Sequence, residues 1–474
     1  MKRRLGLFCL AAGLFLLLSG CFVRTVDELY QLPAAPDDFQ NLQAKIEEIK
    51  AQGAENISPL SGERIQNVQL EDLDGDGVQE AIAFFRVTSS DQPQIYIFRQ
   101  TGEGYEVAAV INGVGTSIYS VDYQNVDNSP TKEVVVGWQL SNGMKTLAVY
   151  SVEKDEVEQL VSTNYTSFQL SDLDRDNVKE LLVFKVAEVT DEKADKAPGS
   201  DVVEYYDAGQ GVLELQSVAP LSNEIESIMD GGIKEGLLKD AIPAVFVQSK
   251  LINRDENQKD EKVRTNYYII DIFAVRDGVL TNITLNEETG ESGETIRIYT
   301  AASCTDINSD SITEVPQPAP VAEYKTSGPP NFWFIEWRQY ALDGTATTVF
   351  STYHNDRDGW YLILPDDWVG RITLSRSDLT GGGERAVIFS YWDPASGAEP
   401  QKFLSIYRLT GNNRVMWAGL PGRFRLNDDP GADGDVIYAA EFRTAADGGW
   451  DCGLDEAGLK ENFRLIRTEW SVGF

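Results

Sequence analysis

One nine-residue acidic pattern recurs along this chain, and it limits the folds open to it more than any other feature. The segment from Val68 to Phe85, VQLEDLDGDGVQEAIAFF, returns 100 residues later as FQLSDLDRDNVKELLVF from Phe168 to Phe184. In both, acidic residues occupy positions one, three, five and nine of a loop set between two apolar runs of strand character. A weaker copy between them runs through Asn125, Asp127, Ser129, Thr131 and Glu133, its glutamate 53 residues after that of the first. Another spans Cys304 to Val315, and a shortened one, with Gly381-Gly382-Gly383 in its loop, spans Asp378 to Phe389. Self-similarity on this scale is the mark of a supersecondary unit repeated in space.

Alternating apolar strands closed by Gly, Asp and Asn turns follow each copy and read as hairpins. They cover Gln94 to Val110, Thr146 to Val161, Val203 to Val218, Tyr267 to Leu285, Thr347 to Leu364 and Phe403 to Leu420. A broken last pair joins Val436–Phe442 to Asn462–Trp470. A hairpin together with the two strands that flank an acidic loop makes a four-stranded sheet. Seven such units over residues 64–474 average about 59 residues each, a size and make-up suited to the blades of a β-propeller. The expected architecture is therefore all-β, a seven-bladed propeller of four-stranded blades over residues 64–111, 117–161, 166–218, 223–285, 296–364, 371–420 and 422–474. Ahead of it, residues 37–63 hold a short helix and lead-in. Phe39, Leu42, Ile46 and Ile49 recur at helical spacing between Asp37 and Lys50, with a stop near Gly53, and the stripe is short enough to be a packing cap rather than a coiled coil.

The acidic loops resemble the FG-GAP or VCBS-type repeats of integrin-like α-subunit propellers, over most of the chain. The resemblance implies that positions one, three, five and nine give side-chain oxygens to a calcium ion and position seven a backbone carbonyl. Carried onto this sequence, it names Asp72, Asp74, Asp76, the Val78 carbonyl and Glu80 in the first unit. In the third it names Asp172, Asp174, Asp176, the Val178 carbonyl and Glu180, and in the fifth Asp306, Asn308, Asp310, the Ile312 carbonyl and Glu314. The second unit carries fewer charges, the fourth, near Asp230, has lost the motif, and the sixth has lost its carboxylates. Electrostatics points the same way, because four carboxylates within nine residues repel one another unless a hard cation takes several oxygens at once. An EF-hand is the competing pattern. It fails at position twelve, where Ala83 stands in an apolar strand in place of a bidentate glutamate.

The N-terminus supplies an address. Met1-Lys2-Arg3-Arg4 precedes an apolar stretch, Leu5 to Leu18, too short for a comfortable membrane span, and Leu18-Ser19-Gly20-Cys21 follows. This resembles the lipobox of bacterial lipoproteins, which implies removal of residues 1–20, acylation of Cys21, a tether over 21–36, and attachment to a membrane outside the cytoplasm. Two acyl chains anchor stably where one would be marginal. Loss of three positive charges takes the net charge from −34 to −37. A body so acidic is expected to stand away from anionic lipid, and it has no local Lys/Arg block with which to bind nucleic acid.

Composition closes other routes. His354 is the single histidine, and four cysteines, one of them inside the signal segment, do not make a Cys-rich zinc module. His354 reads as a solvated turn residue. Cys304 and Cys452 suit an extracytoplasmic disulfide, although their spacing fixes no distance. Trp333, Trp337, Trp360, Trp368, Trp392, Trp417 and Trp450 crowd the C-terminal half, as a sugar-stacking platform or as packing. Carboxylate pairs such as Asp366-Asp367 and Glu224/Glu226 arise freely among 75 acidic residues. The functional expectation is a calcium-binding envelope module that presents a rigid face to a protein or glycan, with a polysaccharide-directed enzyme and an assembly scaffold as alternatives. Substituting Cys21→Ser is expected to abolish labelling by a radioactive fatty acid and to release the protein from membranes or leave it unprocessed. Labelling that survives the substitution overturns the lipoprotein reading.

Overall fold

The computed structural model describes residues 37–466 apart from 103, 155, 189–195, 198, 209–211, 253–266, 296–301, 326–329, 380–382, 427–435 and 444–449. Cys21 and the tether lie outside the described residues. Among those described, no helix is long and apolar enough to cross a membrane.

Helix α1, Asp37–Ala51, opens the described chain. Leu42, Ile46 and Ile49 are its buried stripe, while Phe39 stays 43% exposed. The stripe packs on Ala81, Ala83, Phe85, Phe98 and Tyr105 of the first sheet. Gly53, at φ +95°, ends the helical run, and its N–H returns to the Lys50 carbonyl. The cap is fixed from its side as well, since Asn41 Oδ1 accepts the Tyr105 N–H at 2.7 Å.

Six antiparallel sheets follow in chain order. The first contains β1 (Ala54–Asn56), β2 (Val68–Glu71), β3 (Glu80–Val87), β4 (Gln92–Thr101) and β5 (Gly104–Asn112). The second contains β6 (Ser117–Gln124), β7 (Glu133–Gln139), β8 (Lys145–Glu153) and β9 (Glu156–Asn164). The third runs β10 (Ser167–Ser171), β11 (Glu180–Lys185), β12 (Val202–Asp207) and β13 (Glu214–Pro220), and the fourth β14 (Ile225–Leu237), β15 (Pro243–Leu251), β16 (Tyr268–Arg276) and β17 (Val279–Asn282). The fifth runs β18 (Val315–Pro320), β19 (Trp333–Tyr340), β20 (Ala346–Asn355) and β21 (Trp360–Leu364). The sixth opens with β22 (Ile372–Leu379), β23 (Glu384–Tyr391) and β24 (Gln401–Leu409). The expectation of a mostly β chain is met, and three of the six sheets are four-stranded and antiparallel while the other three hold five strands.

The end of the chain departs from the expected hairpins. Beyond β24 the sequence forms a short helix α2, Arg414–Ala418, and then β25, Arg423–Arg425. The strand expected to open a seventh sheet, β26 (Ile437–Phe442), pairs instead with β24 and β25 inside the sixth sheet. Its expected partner, Asn462–Trp470, follows helix α3, Glu456–Asn462, and its described part holds β27, Phe463–Leu465, which pairs with β21 on the edge of the fifth sheet. Strand-like runs at the end of the chain thus complete existing sheets rather than starting one. Sequence period shows that a run is a strand, but the partner is set by long-range packing.

The described residues form two compact units, one made of residues up to Tyr123 with 134–143 and 150–159, the other of 124–133, 144–149 and those from Leu160 on. In the first, the core lies between α1 and the first sheet. In the second, successive sheets pack face against face. Leu182, Phe184, Val203 and Tyr205 of the third sheet meet Val245, Val247, Ile269 and Phe273 of the fourth. Phe246, Ile270 and Ile272 on the other face of the fourth join Val315 and Tyr340 of the fifth. Tyr353, Trp360 and Leu362 of the fifth meet Leu374, Phe389 and Ile406 of the sixth. Strands buried on both faces read as unbroken apolar runs, which is why EAIAFF and ELLVF show no alternation.

Candidate metal centre

The first three acidic loops each join a pair of adjacent strands, β2 to β3, β6 to β7 and β10 to β11. Position nine is the first residue of the second strand: Glu80 opens β3, Glu133 opens β7 and Glu180 opens β11. In the fifth sheet Glu314 stands just before β18, bridged to Thr305. The four glutamates are 0–3% exposed. Each turns one oxygen to the backbone N–H of loop position two: Leu73 at 2.9 Å, Val126 at 2.8 Å, Leu173 at 2.6 Å and Ile307 at 3.0 Å.

The remaining side chains fold the loop around that anchor. Position one accepts N–H groups from the loop crest: Asp72 from Gly75 and Gly77, Asp172 from Asn177, and Asp306 from Ser309 and Ser311. Position three takes the N–H of position five at 2.9–3.2 Å, with Asp74, Asp174 and Asn308 as acceptors. Position five takes the N–H of position seven at 2.7–2.8 Å, Asp76 from Val78, Asp176 from Val178 and Asp310 from Ile312. That bond fixes the peptide between positions six and seven, the one immediately before the peptide whose carbonyl was expected to serve as a ligand. Positions four and six both adopt positive φ, 74° and 86° at Gly75 and Gly77, 70° and 69° at Arg175 and Asn177, and 67° and 71° at Ser309 and Ser311. Only the first loop uses glycine, for which this conformation carries no steric penalty.

The carboxylates converge to different degrees. Ligand oxygens of Asp172, Asp174, Asp176 and Glu180 lie within 4.8 Å of one another. Three converge in the first loop, Asp72, Asp74 and Glu80, and three in the fifth, Asp306, Asp310 and Glu314. Asp76 stays outside the first group. The second loop brings no such group together among the described residues. Its position six is Pro130, whose ring holds φ negative, so Asn125, Asp127, Ser129 and Thr131 cannot take the backbone course of the other loops. Thr131 and Ser129 bond each other there, at 2.8 Å between hydroxyls. The proline was the sequence signal that distinguishes this copy.

The third loop leaves polar atoms unanswered. Glu180 Oε1 and Asp172 Oδ1 are buried without a hydrogen-bond partner. Unpaired buried carboxylate oxygens are costly, and a hard cation answers them directly, so the residues fit a divalent ion bound by oxygens. Glu133 Oε1 is buried and unpartnered as well, but without a convergent carboxylate group. Burial pushes Glu180 up to about 8, against the lowering effect of the Leu173 N–H, and neighbouring Asp174, Asp207 and Asp172 push the same way. Burial pushes Glu133 up to about 7 and raises Glu80 and Glu314 as well. Asp310 moves the opposite way: burial opposes the shift, but the Ile312 N–H and the amides of Gln339 and Asn308 hold it below the ordinary carboxylate value.

Other sequence candidates separate from the site. His354 lies in β20, its ring stacked on Tyr361 at 5.0 Å and near Trp337 at 5.9 Å. Its Nε2 is buried without a partner, and burial drives it down to about 3, so the solvated turn expected there is replaced by a packed neutral ring. Cys304 and Cys452 are both free thiols. Trp360 and Trp368 are fully buried between the fifth and sixth sheets, and Trp337 is buried against its own sheet and the acidic loop before it, which makes all three packing rather than a platform. Glu226 is paired with Lys250 at 2.9 Å, and Asp366 and Asp367 sit exposed on a short turn. The fourth sheet, lacking a loop, buries a different carboxylate. Asp271 accepts bonds from the Ser222 N–H and hydroxyl, Asn282 and Ser292, a network with no repeat signature in the sequence.

No family model matches the sequence, and no curated protein matches it. Among solved structures, an exotype rhamnogalacturonan lyase is similar at 12% identity and a TM-score of 0.29, over 73% of this chain and 66% of that one. The chain therefore spans just under two thirds of that protein's length. A TM-score this low carries no inference.

The loop backbone and its buried acids each give a measurable consequence. A Cβ added at Gly77 meets nothing within 4 Å, so Gly77→Ala is expected to cost about 1 kcal/mol through its positive φ alone. Gly77→Asn, which copies Asn177 of the third loop, should cost less in chemical denaturation. The folded chain also binds protons at Glu133 and Glu180 more tightly than the unfolded chain does. Stability in chelator should therefore fall as pH rises from the ordinary 4.5 through about 7 and 8. Melting temperatures in chelator across that range should decline, less steeply in Glu180→Gln, and a flat profile in the wild type would contradict the assignment.

Proposed function

We propose that this chain is a lipid-anchored, extracytoplasmic β-propeller of the FG-GAP/VCBS type, which binds calcium in its blade loops and presents a rigid surface to a protein or glycan at the bacterial cell envelope. The observation that carries the metal assignment is the third loop, where four carboxylates converge and two buried oxygens have no partner. Oxygen-only donors on a flexible loop suit calcium better than zinc, which prefers nitrogen and sulfur. The propeller reading is supported by four successive sheets packed face against face in the second unit, with six sheets among the described residues against the seven blades expected from hairpins.

Bound calcium supplies charge neutralisation and loop order rather than chemistry on a substrate. Binding is favoured over catalysis because the convergent acids sit in these loops and are committed to backbone N–H groups. A cleft of about 520 Å³ beside the fifth and sixth sheets offers Tyr324, Phe332, Arg376 and Lys402, a mixture of ring faces and cations suited to a polar ligand such as a glycan. Its two acids are engaged as well, Glu323 by Asn331 and Glu399 by Lys325.

Calcium binds the ordered loop in preference to the unfolded chain. For dissociation constants near 10⁻⁴–10⁻³ M, millimolar calcium should stabilise by on the order of 1 kcal/mol per occupied loop. A thermal melt in millimolar calcium is expected to exceed one in chelator at equal ionic strength. Asp74→Ala and Asp174→Ala should each remove part of the gain, and Asp366→Ala none. Coincident melts would show the loops to be acidic turns and overturn the metal reading.

A further inference from the structure

The three convergent loops differ in the residue that faces position nine across the sheet, and that residue is not part of the repeated motif. In the fifth sheet Val315 pairs with Arg338, so the next residue, Gln339, stands opposite Glu314. Its amide donates to Glu314 Oε1 at 2.7 Å and to Asp310 Oδ2 at 2.8 Å, joining two carboxylates that a cation would otherwise join. In the first sheet Ala81 pairs with Phe98, which brings Arg99 opposite Glu80, and the Arg99 Nε lies 3.9 Å from Asp74 Oδ2. In the third sheet Leu181 pairs with Tyr206, which brings Asp207 opposite Glu180. Asp207 is half-buried and acts electrostatically on both Asp174 and Glu180, yet it is not among the four residues whose oxygens gather within 4.8 Å.

One cross-strand position therefore holds a cation in the first sheet, an anion in the third and a neutral donor in the fifth. We infer that this position grades the cation affinity of the loops, Asp207 making the third the strong site and Arg99 and Gln339 making the first and fifth weak ones. The inference rests on the proposed binding of calcium. Asp207 is a positioning charge rather than a ligand: it deepens the negative potential over a group that already holds two unanswered oxygens. Arg99 repels an incoming dication and already offsets part of the charge of Asp74. Gln339 satisfies two prospective ligands before any ion arrives, so binding there must give up two good hydrogen bonds. A unit charge within several ångströms of a dication, at a partly buried site, shifts affinity by about tenfold after screening.

Equilibrium dialysis of the full chain against radioactive calcium, at fixed ionic strength, tests the ranking. The expected isotherm has one tight class and a weaker class. Asp174→Ala should remove the tight class alone, and Asp207→Asn should weaken it about tenfold at unchanged stoichiometry, with Asp207→Glu restoring it. Arg99→Gln should strengthen one weak site by a similar factor, a gain that structural damage does not produce. If the tight class survives Asp174→Ala, or if Asp207→Asn and Arg99→Gln both leave the isotherm unchanged, the ranking is overturned while calcium binding stands. A wild-type chain that binds no calcium overturns the ranking and the function it rests on together.

Discussion

The repeat turns on a buried carboxylate that reaches back seven residues to a backbone N–H. Glu80, Glu133 and Glu180 each open a strand buried on both faces, Glu314 stands just before β18, and each of the four holds the second residue of its own loop. The bond fixes where the loop leaves the first strand and where it enters the second, so it sets their separation and register together. It also commits a charged group to the interior. One N–H does not repay the desolvation of a carboxylate, and the second oxygen must find something else.

The sheets resolve that demand differently. The fifth brings an amide from the neighbouring strand, and the third leaves the oxygen facing three more carboxylates. The fourth has abandoned the loop and surrounds Asp271 with a backbone N–H, two hydroxyls and an amide, four donors that satisfy a buried anion from within the protein. Sheets with the same strand order thus differ most at the one place where a charge has been buried. Their apolar faces, by contrast, repeat with little change, Phe184 against Phe273 between the third and fourth sheets and Tyr353 against Phe389 between the fifth and sixth.

Much of this was legible in the sequence, because its signals are local. The nine-residue spacing puts alternate side chains on the inside of a tight loop, and the helical stripe of α1 and its stop at Gly53 follow from three- and four-residue spacing. What escaped were properties set by distant partners. Asp207, Arg99 and Gln339 enter the loops by strand pairing, and nothing in their own surroundings marks them. His354 sits in a segment with the polarity of a turn, Tyr-His-Asn-Asp-Arg-Asp-Gly, yet the strand runs on through Asn355 and the ring is stacked between aromatic neighbours. Pro130 was a local signal, and it separates the second loop from the others as clearly as the missing charges do.

The fifth sheet ends on β27, a strand of three residues that arrives roughly a hundred positions after β21, with the whole sixth sheet made in between. During synthesis the edge of β21 is therefore exposed long after its own hairpin has formed, with its N–H and C=O groups free to pair with any strand that passes. The sixth sheet can pack against the fifth before that edge is closed, and closure then depends on the last described strand finding its place. Completion of this region is a late, long-range event rather than a sheet-by-sheet one, and the slowest contact is carried by one of the shortest strands.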